Sequence, residues 1–147
     1  SRVQNHQINS LSKHNCISAC IEASKLKVDE ALMLDPDKNV STCNSTNFFM
    51  VKNKEVWTSK AVHCLKGITR QTIIRICKKN KIKIREKNFK VSDVHAADEL
   101  FVTGTFAGII PVIQVDGIKK SNNKIGKMTK KLQDLYRSDM RKQVNIS

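Results

Sequence analysis

The chain has 147 residues with 27 basic against 13 acidic side chains, a formal net charge of +14. That length suits one domain, and no apolar run approaches the ~18 residues of a membrane-spanning helix. The basic excess raises nucleic acid as a partner, yet one Tyr and one Trp poorly supply a base-stacking platform, so scattered solvated lysines are the competing reading.

Residues 15–26 (NCISACIEASKL) place Cys16, Ile17, Cys20, Ile21 and Ala23 at helical spacing, and this helix is expected to pack on its cysteine face. Residues 29–35 read as a short buried strand, Asp35 to Asn39 as a turn, and Val40 to Thr42 as a continuation of the ladder. Asn47 to Val51 and Glu55 to Thr58 flank Asn53-Lys54, the pattern of a hairpin. A helix is predicted over Thr69 to Lys79, with Thr69 as a candidate N-cap and Ile73, Ile74, Ile76 and Cys77 forming its apolar stripe. Ile82 to Glu86 alternates as a strand, Val91 to Ala97 reads as a short helix with Ser92 or Asp93 at its start, and Glu99 to Thr103 is a strand ending at Gly104-Thr105. Ile109 to Val115 is a strand whose Pro111 favours an edge or a bulge. Asp116-Gly117 turns the chain into an expected flexible basic loop at 117–128. A last helix follows over Thr129 to Met140, with a fraying polar tail from Arg137.

Strands and helices mix, with hairpins between them, which argues a mixed α/β (α+β) fold. The five cysteines are odd in number and lack zinc-ligand spacing, so no metal is expected. Reduced, partly buried thiols then imply an intracellular protein, cytoplasmic or mitochondrial. His63-Cys64 as a nucleophile and base, and His95 with Asp93 and Asp98 as a metal or acid–base group, are readings set against plain packing and surface roles.

Four blocks in order carry a resemblance: DEALMLDPDKNVSTCNSTNFFMVKNKEVWTS, LKGITRQTII, ADELFVTGTFAGIIPVIQVDG and IGKMTKKLQDLY. Over about residues 10–136 they resemble the C-terminal domain of class IV pyridoxal-phosphate aminotransferases, the branched-chain subgroup above all. The resemblance implies the large C-terminal domain of the fold-type IV, D-amino acid aminotransferase-like enzymes, with several hairpins and packed helices. The expectation is one cofactor-binding domain over 1–147, without the family's N-terminal domain. It implies pyridoxal 5'-phosphate as cofactor, an amino acid (branched-chain or otherwise apolar) and a 2-oxo acid as substrates, and a homodimer in the intact enzyme.

The same resemblance implies a phosphate held by Gly67, Ile68 and Thr69 at a helix start. Gly104 and Thr105 form a second phosphate-side turn, with Phe106 and Ala107 beside the substrate. Thr42 stands where the family sets a glutamate against the ring nitrogen, and a hydroxyl there holds the ring charge less well than a carboxylate. Gln7, Ile8 and Asn9 occupy the window of the lysine that holds the cofactor covalently, and Lys13 is the nearest amine. Lys38, Lys54 and Lys81 stand at turns and caps where the family has glycine, so each is expected at positive φ. Three readings of function follow: a fragment of an aminotransferase with impaired or no activity, a non-catalytic pseudoenzyme, or a basic nucleic-acid binder.

Overall fold

A computed structural model describes residues 14–120 and 124–144. Gln7 to Asn9, expected at the window of the covalent lysine, and Lys13, the nearest amine, lie outside the described residues.

Helix α1 (His14–Lys25) leads to β1 (Leu32–Leu34), which pairs antiparallel with β2 (Val40–Cys43). Then come β3 (Asn47–Lys52), β4 (Glu55–Thr58), α2 (Ile68–Lys79), β5 (Ile84–Glu86), α3 (Val91–His95), β6 (Glu99–Gly104) and β7 (Gly108–Val112). A short hairpin, β8 (Gln114–Val115) and β9 (Ile118–Lys119), precedes α4 (Lys127–Val144).

The central sheet has the order β5-β4-β3-β6-β7. Its pairs are antiparallel except β4 with β5, which α2 joins as a parallel crossover. Both faces of the sheet are covered. On one, Phe49, Val51 and Phe101 meet Ile73, Ile76 and Cys77 of α2 and Leu132 of α4. On the other, Phe48, Met50, Leu100 and Val102 meet Val40, Phe89 and Val94. Double burial explains why β3 (NFFMVK) and β6 (ELFVTG) read as nearly unbroken apolar runs and not as alternations. Phe49 and Phe101 stack across the register with ring centroids 4.9 Å apart, an offset pair worth about 1 kcal/mol beyond its buried area.

Several expectations need correction. The apolar stripe of α1 is not buried: Ala23 is its one buried residue, Cys20, Ile17 and Ile21 are exposed, and Cys16 is half-buried. The strand expected over 29–35 is confined to Leu32–Leu34, because Glu30 turns to Ser45 and Thr46, and Ala31 N–H donates to Asn44 Oδ1 at 2.8 Å. The run 109–115 breaks into β7 and β8, and Pro111 lies on the edge strand of the central sheet, where its missing N–H costs no ladder bond. The expected loop after Asp116 instead pairs Ile118 with Val115, and Lys120 is buried with its ammonium on the His95 and Ala97 carbonyls. The last helix runs on to Val144 past the expected fray at Arg137, held by an ion pair of Asp139 with Arg75 at 2.5 Å.

Candidate cofactor site

Strand direction decides what meets at one end of the sheet. β3 starts where its antiparallel neighbours β4 and β6 finish, so the β2–β3 link, the 59–67 loop and the 104–108 turn converge there. Asn47 sits directly across from Thr103, the residue before Gly104. Its amide donates to the Leu65 carbonyl at 2.9 Å, and its Oδ1 lies only 2.3 Å from where a Cβ on Gly67 would stand. A side chain at Gly67 would therefore displace Asn47. Thr46 Cγ2 is 3.4 Å from the Cβ position of Gly104. Thr42 Oγ1 donates to the Thr46 carbonyl at 2.7 Å.

The structure thus gathers Thr42, Gly67 and Gly104 around the pair Thr46-Asn47. Ile68 and Thr69 follow Gly67 as the first two residues of α2, and Thr105 follows Gly104 in the turn. Gly67, not Thr69, is the N-cap of α2; Thr69 is buried within the first turn. A glycine cap leaves the first amides of the helix unscreened by any capping side chain. These donors and the helix dipole make an electropositive cradle. At the other turn the Thr103 hydroxyl is buried and has no hydrogen-bond partner among the described residues. Ile68 is 78% exposed and Phe106 fully so, leaving an apolar rim beside the cradle.

Sequence reasoning missed Thr46, Asn47, Thr103 and Glu30. The Glu30 carboxylate accepts from the Ser45 hydroxyl and from Thr46 Oγ1 at 2.5 Å, fixing the β2–β3 link that carries Thr46. Asn47 could have been found: it is a polar residue heading an apolar strand. The Glu30 contacts carry no such signal, because they join residues far apart in the chain.

Burial and the nearby Glu30 push the Cys43 thiol upward, and burial pushes Cys77 up to about 12. Cys64 packs its sulfur 3.7 Å from Ser59 Oγ and 3.9 Å from Asn47 Nδ2, a packing role beneath the cradle. The His95 cluster also dissolves. His95 pairs with Asp116 at 2.9 Å, Asp93 pairs with Lys52 at 3.0 Å, and Asp98 accepts from Asn53 N–H at 2.9 Å. Among the described residues no group of three or more His, Cys, Asp or Glu side chains could hold a metal ion, and no helix is long and apolar enough to cross a membrane.

A family model described as amino-transferase class IV matches residues 1–115. A branched-chain-amino-acid aminotransferase-like protein of Arabidopsis thaliana is 42% identical over 123 residues, covering 84% of this chain and 22% of its own length. A branched-chain-amino-acid aminotransferase of Pseudomonas aeruginosa is 38% identical over 122 residues, covering 83% of this chain and 40% of its own. Among solved structures, a T.th. branched-chain amino acid aminotransferase complexed with N-(5'-phosphopyridoxyl)-L-glutamate superposes with a TM-score of 0.87 at 28% identity, covering 92% of this chain and 46% of that one. The chain spans less than half the length of each of these relatives. With a mixed α/β fold and two glycine turns at one sheet end, the chain belongs to the class IV aminotransferases.

Proposed function

We propose that this chain holds the phosphate of pyridoxal 5'-phosphate and forms the cofactor-bearing part of an enzyme that moves an amino group between an apolar amino acid and a 2-oxo acid. The observation that carries the reading is the convergence of the α2 start and the β6 turn on Asn47 and Thr46. The relatives' names support the substrate class, and the phosphopyridoxyl adduct bound to the T.th. enzyme supports the cofactor.

The cradle fits a phosphomonoester. Ile68 and Thr69 would present backbone N–H groups from the dipole end of α2, and Gly104 and Thr105 would close the other side with amides and the Thr105 hydroxyl. The unpartnered Thr103 hydroxyl behind that turn has hydrogen-bonding capacity to spare. When bound, the cofactor supplies the electron-accepting ring on which amino transfer depends.

The fit at the ring nitrogen is weaker. The Thr42 hydroxyl spends its proton on the Thr46 carbonyl, so it offers only a lone pair to a further partner. It can accept from a protonated nitrogen but brings no charge to keep that proton in place. On this reading the chain binds the cofactor's phosphate and gives the ring weak support, and its amino transfer is impaired or absent. The homodimer of the intact enzyme belongs to the same proposal.

Titration of the chain with pyridoxal 5'-phosphate, followed by ultraviolet–visible absorbance and borohydride trapping with peptide mapping, tests this. Saturable binding that Gly67→Val weakens at least roughly tenfold is expected, because the side chain displaces Asn47 and the cradle with it. Equal affinity in Gly67→Val and the unaltered chain contradicts the proposal. Mapping of a reduced label to one lysine at near-full occupancy would contradict the impaired-activity half of it.

A further inference from the structure

A basic groove lies along α2, beginning at Lys60 and Lys66 of the loop that leads to the Gly67 cap and extending to the far end of the helix. The groove, of about 610 Å³, runs between that helix and the ends of β4 and β5, and Lys60, Lys66, Arg70, Arg75, Lys78 and Lys79 line it. The facing carboxylates are few. Glu86 pairs with Arg70 at 2.9 Å and Asp139 pairs with Arg75 at 2.5 Å, which leaves four cations in excess. Arg70 forms the floor: it is 2% exposed, its Nη2 bonds the Ser59 carbonyl at 2.7 Å, and its Nε is buried without a partner among the described residues.

Helical spacing gathers the charges that α2 contributes. Gln71, Ile74, Arg75, Lys78 and Lys79 fall on one face of α2, while Ile73, Ile76 and Cys77 face the core. That face is ~12 Å long at the helical rise. Of the four excess cations, Lys78 and Lys79 end this face and Lys60 and Lys66 come from the loop before the helix; a bound polyanion relieves the repulsion among these like charges. Among the described residues no aromatic side chain lines the groove, so they offer nothing for a base to stack on. Its short length and lysine lining suit a compact chain of phosphates.

We infer that this groove binds a linear oligophosphate, either free or as the phosphate chain of a nucleotide, through Lys60, Lys66, Lys78 and Lys79. Inorganic triphosphate is the probe, titrated by calorimetry into the full chain. Saturable binding is expected, weakening roughly tenfold between about 50 and about 200 mM salt. Lys78→Gln/Lys79→Gln should weaken it by a further factor of roughly ten, while Lys130→Gln/Lys131→Gln on α4 should leave it unchanged. A nucleoside triphosphate that binds as tightly as the inorganic probe supports recognition of the phosphates alone.

Saturating pyridoxal 5'-phosphate should not displace triphosphate; displacement would assign the binding to the cradle and overturn the inference without touching the proposed cofactor site. No binding, equal losses in both double variants, or single-stranded DNA binding tighter than triphosphate with a strength that grows with its length would each overturn it as well.

Discussion

Lys54 occupies the second central position of the β3–β4 turn at φ 63, after Asn53 at φ 52. Both angles are those of a two-residue type I′ turn, which glycine fills without a Cβ penalty. Lys38 at φ 59 and Lys81 at φ 55 carry the same strain, as the family resemblance implies for positions where its members have glycine. The left-handed conformation costs an L-residue about 1–2 kcal/mol, offset in part by the greater freedom glycine has when unfolded. Lys54→Gly should therefore raise stability by about 0.5–1 kcal/mol in urea unfolding. No gain, or a loss, would show that the lysine side chain makes compensating contacts.

Glu55 gives the clearest pH signature at this scale. Hydrogen bonds from Arg85, 2.7 Å away, and from Lys83 hold its carboxyl down to about 2. A depressed carboxylate adds stability that is fully present above its ordinary value and is lost as pH falls through the folded one. The window is thus from about 4.5 down to about 2. Glu55→Gln should flatten the stability profile across that window and leave the profile near neutrality with the same slope; thermal melts at stepped pH read this directly. An unchanged acid limb in the variant would contradict the assignment. Glu55 lies at the solvent edge of β4, so the effect is screened and should shrink in high salt.

Among the elements, α4 depends most visibly on a residue outside itself. Glu99, at the start of β6, accepts from Met128 N–H at 3.0 Å, from Thr129 N–H at 2.8 Å and from the Thr129 hydroxyl at 2.8 Å. The carboxylate caps the helix from across the fold and complements its dipole. Gly126 must lack a side chain for this to work, since its Cβ would stand 2.0 Å from Glu99 Cδ. Glu99→Ala should cost about 1–2 kcal/mol, and Gly126→Ala should cost a comparable amount by pushing the carboxylate out. The double variant should lose little more than either alone, because both remove one contact. Additive losses in chemical denaturation would show that the two act separately.

The elements also show what the sequence could and could not disclose. The β3–β4 hairpin, α2, β6 and α4 were legible because each couples a periodic or apolar run to turn chemistry on its flanks, Asn53-Lys54 being the plainest case. The burial of α1 was misread, because periodicity says which residues share a face and not whether anything covers that face. The parallel pairing of β5 with β4 depends on α2 as a crossover, a long-range fact that three residues of strand cannot carry. At the candidate site, Gly67, Ile68, Thr69, Gly104 and Thr105 were singled out through the family resemblance, since each turn taken alone reads as an ordinary one. Thr46 and Asn47 were not, because their importance comes from antiparallel strands bringing three chain segments to one sheet end.

For the molecule as a whole, two cores on opposite faces of one sheet fix where that end lies, and the candidate cradle inherits its geometry from them. Part of the +14 charge falls in two patterns, lysines at positive φ (Lys27, Lys38, Lys54 and Lys81) and a basic groove along α2, while α4 carries much of the rest. The central claim is that two turns grip one phosphate ester. Backbone amide shift mapping by NMR during titration with pyridoxal 5'-phosphate tests it most directly. The resonances of Ile68, Thr69, Gly104 and Thr105 should all move along one saturation curve with a single dissociation constant. Movement confined to one of the two turns, or a saturating response centred elsewhere on the chain, would contradict the claim.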